Sequence, residues 1–257
     1  MKIATYNVNG VNGRLPVLLK WLEENQPDLV CLQELKAPQE KFPLEEINAA
    51  GYDAIWVGQK SWNGVAVLSK NIKLKERRRV LPGNKSDEQS RYLEVESEDF
   101  ILCCIYVPNG NPTPGEKYEY KLNWLERFQA QAEVLISSGK KIIICGDFNI
   151  IPTEKDVYKP EKYKNDALFL PKVREEFSNL ISLGFTDALR YLRPKEELYT
   201  FYDYFRKAFE RNAGMRIDHF LLSENLVKNL KTFGIDKEVR GWEKTSDHVP
   251  VWIDIDL

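Results

Sequence analysis

The chain has 257 residues, 43% hydrophobic and 30% charged, with a formal net charge of −2 and a pI near 5.9. That is material for one large core or two small ones in a soluble globular protein, and no apolar run approaches the ~20 residues of a membrane span. The acidic balance counts against a uniformly basic nucleic-acid binder; DNA would need basic residues clustered on one face and acids gathered around a metal.

Met1-Lys2 leads straight into Ile3-Ala4-Thr5-Tyr6, which reads as a strand and leaves no room for a signal peptide; a cytoplasmic protein is expected. Residues 15–24 carry Leu15, Leu18, Leu19 and Leu22 at helical spacing, with Pro16 near the start. Residues 28–32 are a second apolar strand ending on Gln33-Glu34, which completes a βαβ unit. A short helix is predicted over 42–50. Strands are predicted over 52–57 and 64–69, with the turn Trp62-Asn63-Gly64 between them, and an alternating strand over 91–96. The basic run 75–79 reads as a solvated strand edge. A buried strand over 100–107 ends on Tyr106 and Pro108-Asn109-Gly110, and a long helix follows over 118–137. Ile142 to Cys145 show no alternation, as in a strand covered on both faces, and run into Gly146-Asp147-Phe148-Asn149. The polar stretch 152–171 reads as a long functional loop. Helices over 173–183 and up to Leu192, a strand over 200–204, and last strands over 216–222 and 249–257 complete the prediction.

The four cysteines, Cys31, Cys103, Cys104 and Cys145, sit in apolar runs without a CxxC pair, so reduced core thiols are expected. Ile3–Asn9 echoes 143–149, and 67–71 echoes 221–225. The expected fold is α/β, a four-layer α/β sandwich of two packed mixed β-sheets flanked by helices, in a single domain over 1–257.

The chemistry lies at strand ends. Asn7, Glu34, Tyr106, Asn109, Asp147 and Asn149 each close or follow an apolar run, Asp218 interrupts one, and Asp247-His248 precedes another. In open α/β sheets ligands bind at strand ends, so several polar ends together favour a site. Each has a plainer reading: Glu34 as a helix N-terminal acid, Tyr106 as a core aromatic, Asp247-His248 as a surface pair, Gly-Asp-x-Asn as turn chemistry. Asp218 is harder to dismiss, because a carboxylate among apolar strand residues is costly without a partner. Asn7, Glu34, Asp147, Asn149 and Asp247 offer oxygen donors that suit Mg²⁺ or Mn²⁺ rather than zinc. His248 and Asp218 would make an acid–imidazole pair.

The segments Tyr6-Asn7-Val8-Asn9-Gly10, Leu32-Gln33-Glu34-Leu35-Lys36, Tyr106-Val107-Pro108-Asn109-Gly110, Gly146-Asp147-Phe148-Asn149, Arg216-Ile217-Asp218-His219-Phe220 and Ser246-Asp247-His248-Val249-Pro250 resemble, in order, the motif series of the exonuclease III family of abasic-site endonucleases. The resemblance implies the fold above and a Mg²⁺-dependent nuclease, with Mn²⁺ as substitute. It would nick double-stranded DNA 5′ of abasic sites, trim blocked 3′ ends, and act as a monomer. It implies Glu34 as the main metal carboxylate, with Asn7, Asp147, Asn149, Asp247 and His248 around metal and phosphate. Asp147 would handle the attacking water or the leaving group, with Asn149 supporting it. Tyr106 and His248 would bind the scissile phosphate, and Asp218 would orient His248. Phe201, Met215 and Ile217 would form a small apolar pocket for the flipped sugar; as bare residues they read equally as core. Asn109 belongs to the substrate-binding set. Lys36, Arg206, Lys207, Arg211 and the 155–164 loop are candidates for backbone phosphates. A phosphodiesterase or phosphatase on another substrate, and a catalytically silent binder, are the alternatives; the second would expect Glu34, Asp147, Asp218 or His248 to be replaced.

Overall fold

Strand β1 (Lys2–Asn7) is buried at every residue after the first, which is why its sequence does not alternate. Ile3 faces a core shared between two sheets, and Ala4 and Tyr6 face a helix-covered core on the other side. The same holds for β2 (Leu29–Gln33), β4 (Val65–Ser69), β7 (Phe100–Tyr106) and β8 (Lys141–Asp147). A computed structural model describes residues 1–257.

With β3 (Asp53–Val57), β11 (Leu230–Ile235) and β12 (Val251–Ile255), the first sheet has the order β11-β12-β1-β2-β4-β3. With β5 (Lys75–Arg78), β6 (Tyr92–Glu96), β9 (Phe185–Asp187) and β10 (Asp218–Ser223), the second has the order β5-β6-β7-β8-β10-β9. Each is mixed: β1–β2 and β7–β8 are parallel and the other pairs antiparallel. Helices α1 (Leu15–Asn25) and α2 (Leu44–Ala49) flank the first sheet, packing Trp21, Leu22 and Ile47 onto it. Helices α3 (Glu116–Ser137) and α4 (Pro171–Ser182) flank the second through Trp124, Phe128, Val173 and Phe177. A core of 22 buried residues fills the space between the sheets. This is the expected four-layer sandwich.

The order β1-β2-β4-β3 maps onto β7-β8-β10-β9. The two sheets are therefore one pattern used twice, with β1 matching β7 and β2 matching β8. The sequence echo that aligned 3–9 with 143–149 is corrected by this: it paired β1 with β8, because both are short apolar runs ending on polar residues. The echo between 67–71 and 221–225 does join matching strands, β4 and β10.

Other local expectations also shift. Residues 200–204 form no strand; Phe201 makes only isolated bridges to Met215 and His248. The short helix predicted over 42–50 is α2, and a separate single turn at Gln39–Lys41 precedes it. Stretch 152–171 is tied down by two short turns, and Val157, Ala167, Leu168 and Phe169 are buried. Strands β9 and β11 were not expected. All four cysteines are buried and free, and no helix is long and apolar enough to cross a membrane.

Candidate active site

The C-terminal ends of β1, β2, β7 and β8 meet where the two sheets adjoin. Chain reversal there is abrupt, and several residues take left-handed backbone: Asn9 (φ 49°), Glu34 (φ 53°), Lys36 (φ 49°) and Asn149 (φ 48°). Such strain in non-glycine residues is concentrated where side chains must be aimed. Gly146 is required for another reason: a Cβ there would lie 1.9 Å from the Ile105 carbonyl oxygen of the neighbouring strand.

Asn7 joins the sheets. Its Nδ2 donates to Glu34 Oε1 and to Asp147 Oδ2, both at 2.9 Å, while its Oδ1 accepts the Asn9 N–H at 3.0 Å. In this arrangement the amide nitrogen of Asn7 faces both carboxylates. Glu34 Oε1 also accepts from the Tyr106 hydroxyl at 2.8 Å, and Oε2 pairs with Lys36 Nζ at 2.8 Å. Burial works against ionisation of Glu34, yet Lys36 and Asn7 hold its pKa below the ordinary value. Lys36, a candidate for backbone phosphates, pairs with Glu34 and donates to Asn9 Oδ1 at 2.6 Å.

Asp147 is sealed, at 1% exposure. Its Oδ1 accepts the Asn149 N–H at 2.9 Å. Burial pushes its pKa up and the charges of Asp218 and Glu34 push the same way, while His248 pulls it down. His248 lies between two acids: Nδ1 is 2.9 Å from Asp218 Oδ2, and Nε2 is 3.7 Å from Asp147 Oδ2. Burial alone would lower its pKa, but Asp218 and then Asp147 lift it to about 10. With Nδ1 taken up by Asp218, His248 has only Nε2 left to offer to the site. Asp218 Oδ2 also accepts from Thr200 Oγ1 at 2.6 Å, leaving Oδ1 buried without a partner. Thr200 was not foreseen; nothing in its sequence context marks it.

Asn149 is fully engaged. Its Nδ2 donates to Val107 O at 2.9 Å and its Oδ1 accepts from Asn109 Nδ2 at 3.1 Å. Asp247 Oδ1 accepts from Asn9 Nδ2 at 3.1 Å. Phe201 packs edge-on to the His248 ring, with centroids 5.0 Å apart, and joins Met215 and Ile217 in a small apolar cluster. Met215 keeps 8% exposure and Ile217 2%, so Phe201 and Met215 line the edge of the site while Ile217 lies beneath. Arg206 stands on an exposed left-handed turn (φ 55°) beside Phe205, which is 74% exposed. Across Tyr106 a groove of about 610 Å³ is lined by Trp62, Arg91, Asn109 and Lys117, among others. Trp62 is 69% exposed. Both exposed aromatics were missed as site candidates, although Trp62 sits in a turn that the sequence marks.

No group of three His, Cys, Asp or Glu side chains converges tightly enough for a closed metal cage. Two carboxylates bridged by one amide, with Glu34 17% exposed, fit an open site for a hard divalent cation that retains water. They do not fit zinc, which takes a closed N/S set or an open site built on histidines.

The Endonuclease/Exonuclease/phosphatase family model matches residues 4–248. The chain belongs to the endonuclease/exonuclease/phosphatase family. Within this family it is 34% identical over 264 residues to an exodeoxyribonuclease III of Haemophilus influenzae, covering 98% of each chain. Among solved structures, a Neisseria 3′ phosphatase, NExo, bound to product DNA hairpin superposes with a TM-score of 0.97 at 36% identity, covering 100% of both chains. An AP endonuclease from Archaeoglobus fulgidus gives a TM-score of 0.96 at 35% identity, again over 100% of both. The shared family places the chain among divalent-metal-dependent hydrolases of phosphoesters.

Proposed function

We propose that this protein is a DNA repair nuclease of the exodeoxyribonuclease III type. In this reading it uses Mg²⁺ to hydrolyse the phosphodiester 5′ of abasic sites in double-stranded DNA, leaving a 3′-hydroxyl, and it trims 3′ ends. The observation that carries this is the chain of contacts Glu34–Asn7–Asp147–His248–Asp218, which sets a solvent-reachable acid, a sealed acid and an imidazolium side by side. The names of the relatives and neighbours, which include an exodeoxyribonuclease III, a 3′ phosphatase and an AP endonuclease, support the substrate class.

The residues then divide the work. Glu34, with Asp247 nearby, would hold the cation, which when bound neutralises charge on the phosphate and polarises it. The imidazolium of His248 donates through Nε2 to a non-bridging phosphate oxygen, while Asp218 keeps Nδ1 protonated. Tyr106 and Asn109 line the adjoining groove, where the Asn109 amide would be a further donor and the Tyr106 hydroxyl, which donates to Glu34, would have to turn from it to reach a phosphate. Asp147, with its raised pKa, is suited to exchanging a proton with water or the leaving oxygen near neutral pH. The amide proton of Asn149 fixes which oxygen of Asp147 remains available. Phe201 and Met215 form the apolar edge against which an abasic sugar would sit, since it has no base to fill a larger pocket. Arg206, Lys207 and Lys117 are exposed or groove-lining cations that would follow the backbone, which reconciles DNA binding with a net charge of −2. Monomeric action and a cytoplasmic location, in keeping with four reduced thiols, belong to the same reading.

The test is a duplex carrying one abasic analogue, incubated with Mg²⁺ or with EDTA. A metal-dependent nick on the 5′ side of the lesion is expected. An intact lesion strand with Mg²⁺ present would refute the proposal.

A further inference from the structure

Lys121 lies on α3 and is fully buried, with 0% exposure. Lysines are seldom enclosed unless a partner acid accompanies them. Here Nζ instead donates to two main-chain oxygens, Asn149 O at 2.6 Å and Asn109 O at 3.0 Å. The same two residues are joined through their side chains, Asn109 Nδ2 to Asn149 Oδ1 at 3.1 Å. One amine therefore closes a ring between the loop after β7 and the loop after β8. The second loop also presents the Asn149 N–H to Asp147 Oδ1. Room for the lysine stem comes from Gly110: a Cβ there would stand 2.7 Å from Lys121 Cδ. Neither loop has a ladder partner at these residues, so the clamp supplies hydrogen bonds that the sheet does not.

We infer that Lys121 is a positioning residue of the hydrolytic site: its Nζ ties the main chains of Asn109 and Asn149 together and thereby sets where their amide pair, and the Asp147 carboxylate held by Asn149, stand against the phosphate. This rests on the roles proposed above for Asp147, Asn109 and Asn149. Lys121 touches no substrate. A displacement on the order of 1 Å in groups of this kind costs on the order of 10²-fold in rate. Because the affected contacts belong to the transition state, the loss should appear in kcat and not in KM.

The experiment uses the full chain, Mg²⁺ and the duplex with one abasic analogue. Lys121→Met keeps the stem and removes the donors; Lys121→Arg keeps donors. Lys121→Met is expected to lower kcat about 10²-fold with KM within about threefold, and Lys121→Arg to recover at least about tenfold of that loss. In an Asn109→Ala background, Lys121→Met should cost less than it does in the wild type, since the amide pair is already gone and only the Asn149 main chain and the Asp147 it holds remain for the clamp to align. Wild-type kcat in Lys121→Met, equal losses in Met and Arg, or fully multiplicative losses in the double variant would each overturn the inference. Should thermal melts show Lys121→Met unfolded, Lys121→Gln, which retains a donor, must fall between Arg and the Asn109→Ala level; a value at either wild type or background would be contrary. Asp147→Asn serves as the control. If it cuts normally the site assignment fails, whereas a dead Asp147→Asn beside a fully active Lys121→Met sinks the clamp alone.

Discussion

Replacing Asp218 by asparagine should turn a nearly pH-independent phosphate donor into a pH-dependent one. His248 holds its proton to about 10 because Asp218, and after it Asp147, outweigh the burial that would lower it. Asp218→Asn keeps the shape and removes the larger of the two charges. The imidazole then falls back towards its ordinary pKa of 6.5 or below. At pH 8 a histidine of that pKa is only ~3% protonated, while at pH 6 it is still mostly so. The ratio of wild-type to variant rate should therefore be small near pH 6, about fourfold near pH 7 and about 30-fold near pH 8. Single-turnover cleavage of the abasic duplex from pH 5.5 to 9 measures this ratio; taking the ratio cancels ionisations common to both proteins, but not that of Asp147, which the Asp218 and His248 charges also shift. Asp218→Asn also removes the buried charge paired with His248 Nδ1, so its melting temperature should fall, and cleavage is measured well below the variant's melt. A deficit independent of pH, or none, would refute a role exerted through the charge of His248.

His219, deeply buried, accepts from Arg216 at Nδ1 (2.9 Å) and donates from Nε2 to Ile150 O (3.0 Å); burial and then Arg216 lower its pKa from 6.5 to about 4. A depressed group stabilises the fold above its unfolded pKa, and that stability is lost as pH falls through the folded value. The window is thus pH 6.5 down to 4, with about 3 kcal/mol at stake. Asp147 acts in the opposite sense over the same range, so urea melts of wild type minus His219→Gln isolate the effect; a flat difference would count against it. Tyr106→Phe deletes the hydroxyl that donates to Glu34 at 2.8 Å and should lower kcat by about 10²-fold with duplex affinity retained; a pure loss of affinity would contradict the assignment. Phe205→Ala and Trp62→Ala remove exposed aromatics beside the site and should weaken duplex binding by about 1–3 kcal/mol each without moving the melting temperature. Unchanged binding in fluorescence titrations would exclude both from the DNA surface.

The layered fold was legible because its central strands are covered on both faces, which writes continuous apolar runs such as Ile142 to Cys145. Edge strands left weaker traces. In β11, Lys231 and Thr232 face solvent and Gly234 gives way to the Trp252 ring, so the segment lacks the apolar run of a strand. The aromatic run at 200–204 misled, because its side chains pack around His248 and Val249 without pairing into a sheet. Strand-end polar residues could be found one at a time, but their partnerships could not. Asn7 and Asp147 are 140 residues apart when they bond, and Lys121 looks like any polar position on an amphipathic helix until both loops are seen to end on it.

The doubled sheet pattern carries a last consequence. Glu34 and Asp147 lie at the same end of matching strands, one just past β2 and the other closing β8. An ancestral symmetry would give both acids one environment and one chemistry. Burial has separated them: Glu34 is 17% exposed with a lysine at hand, and Asp147 is 1% exposed beside an imidazolium. Two acids at corresponding strand ends have thus come to differ, one held below the ordinary carboxylate pKa and the other pushed above it. Because they belong to different sheets, their spacing reports how those sheets sit on one another. Catalysis should therefore fail on heating while the strands themselves are still intact.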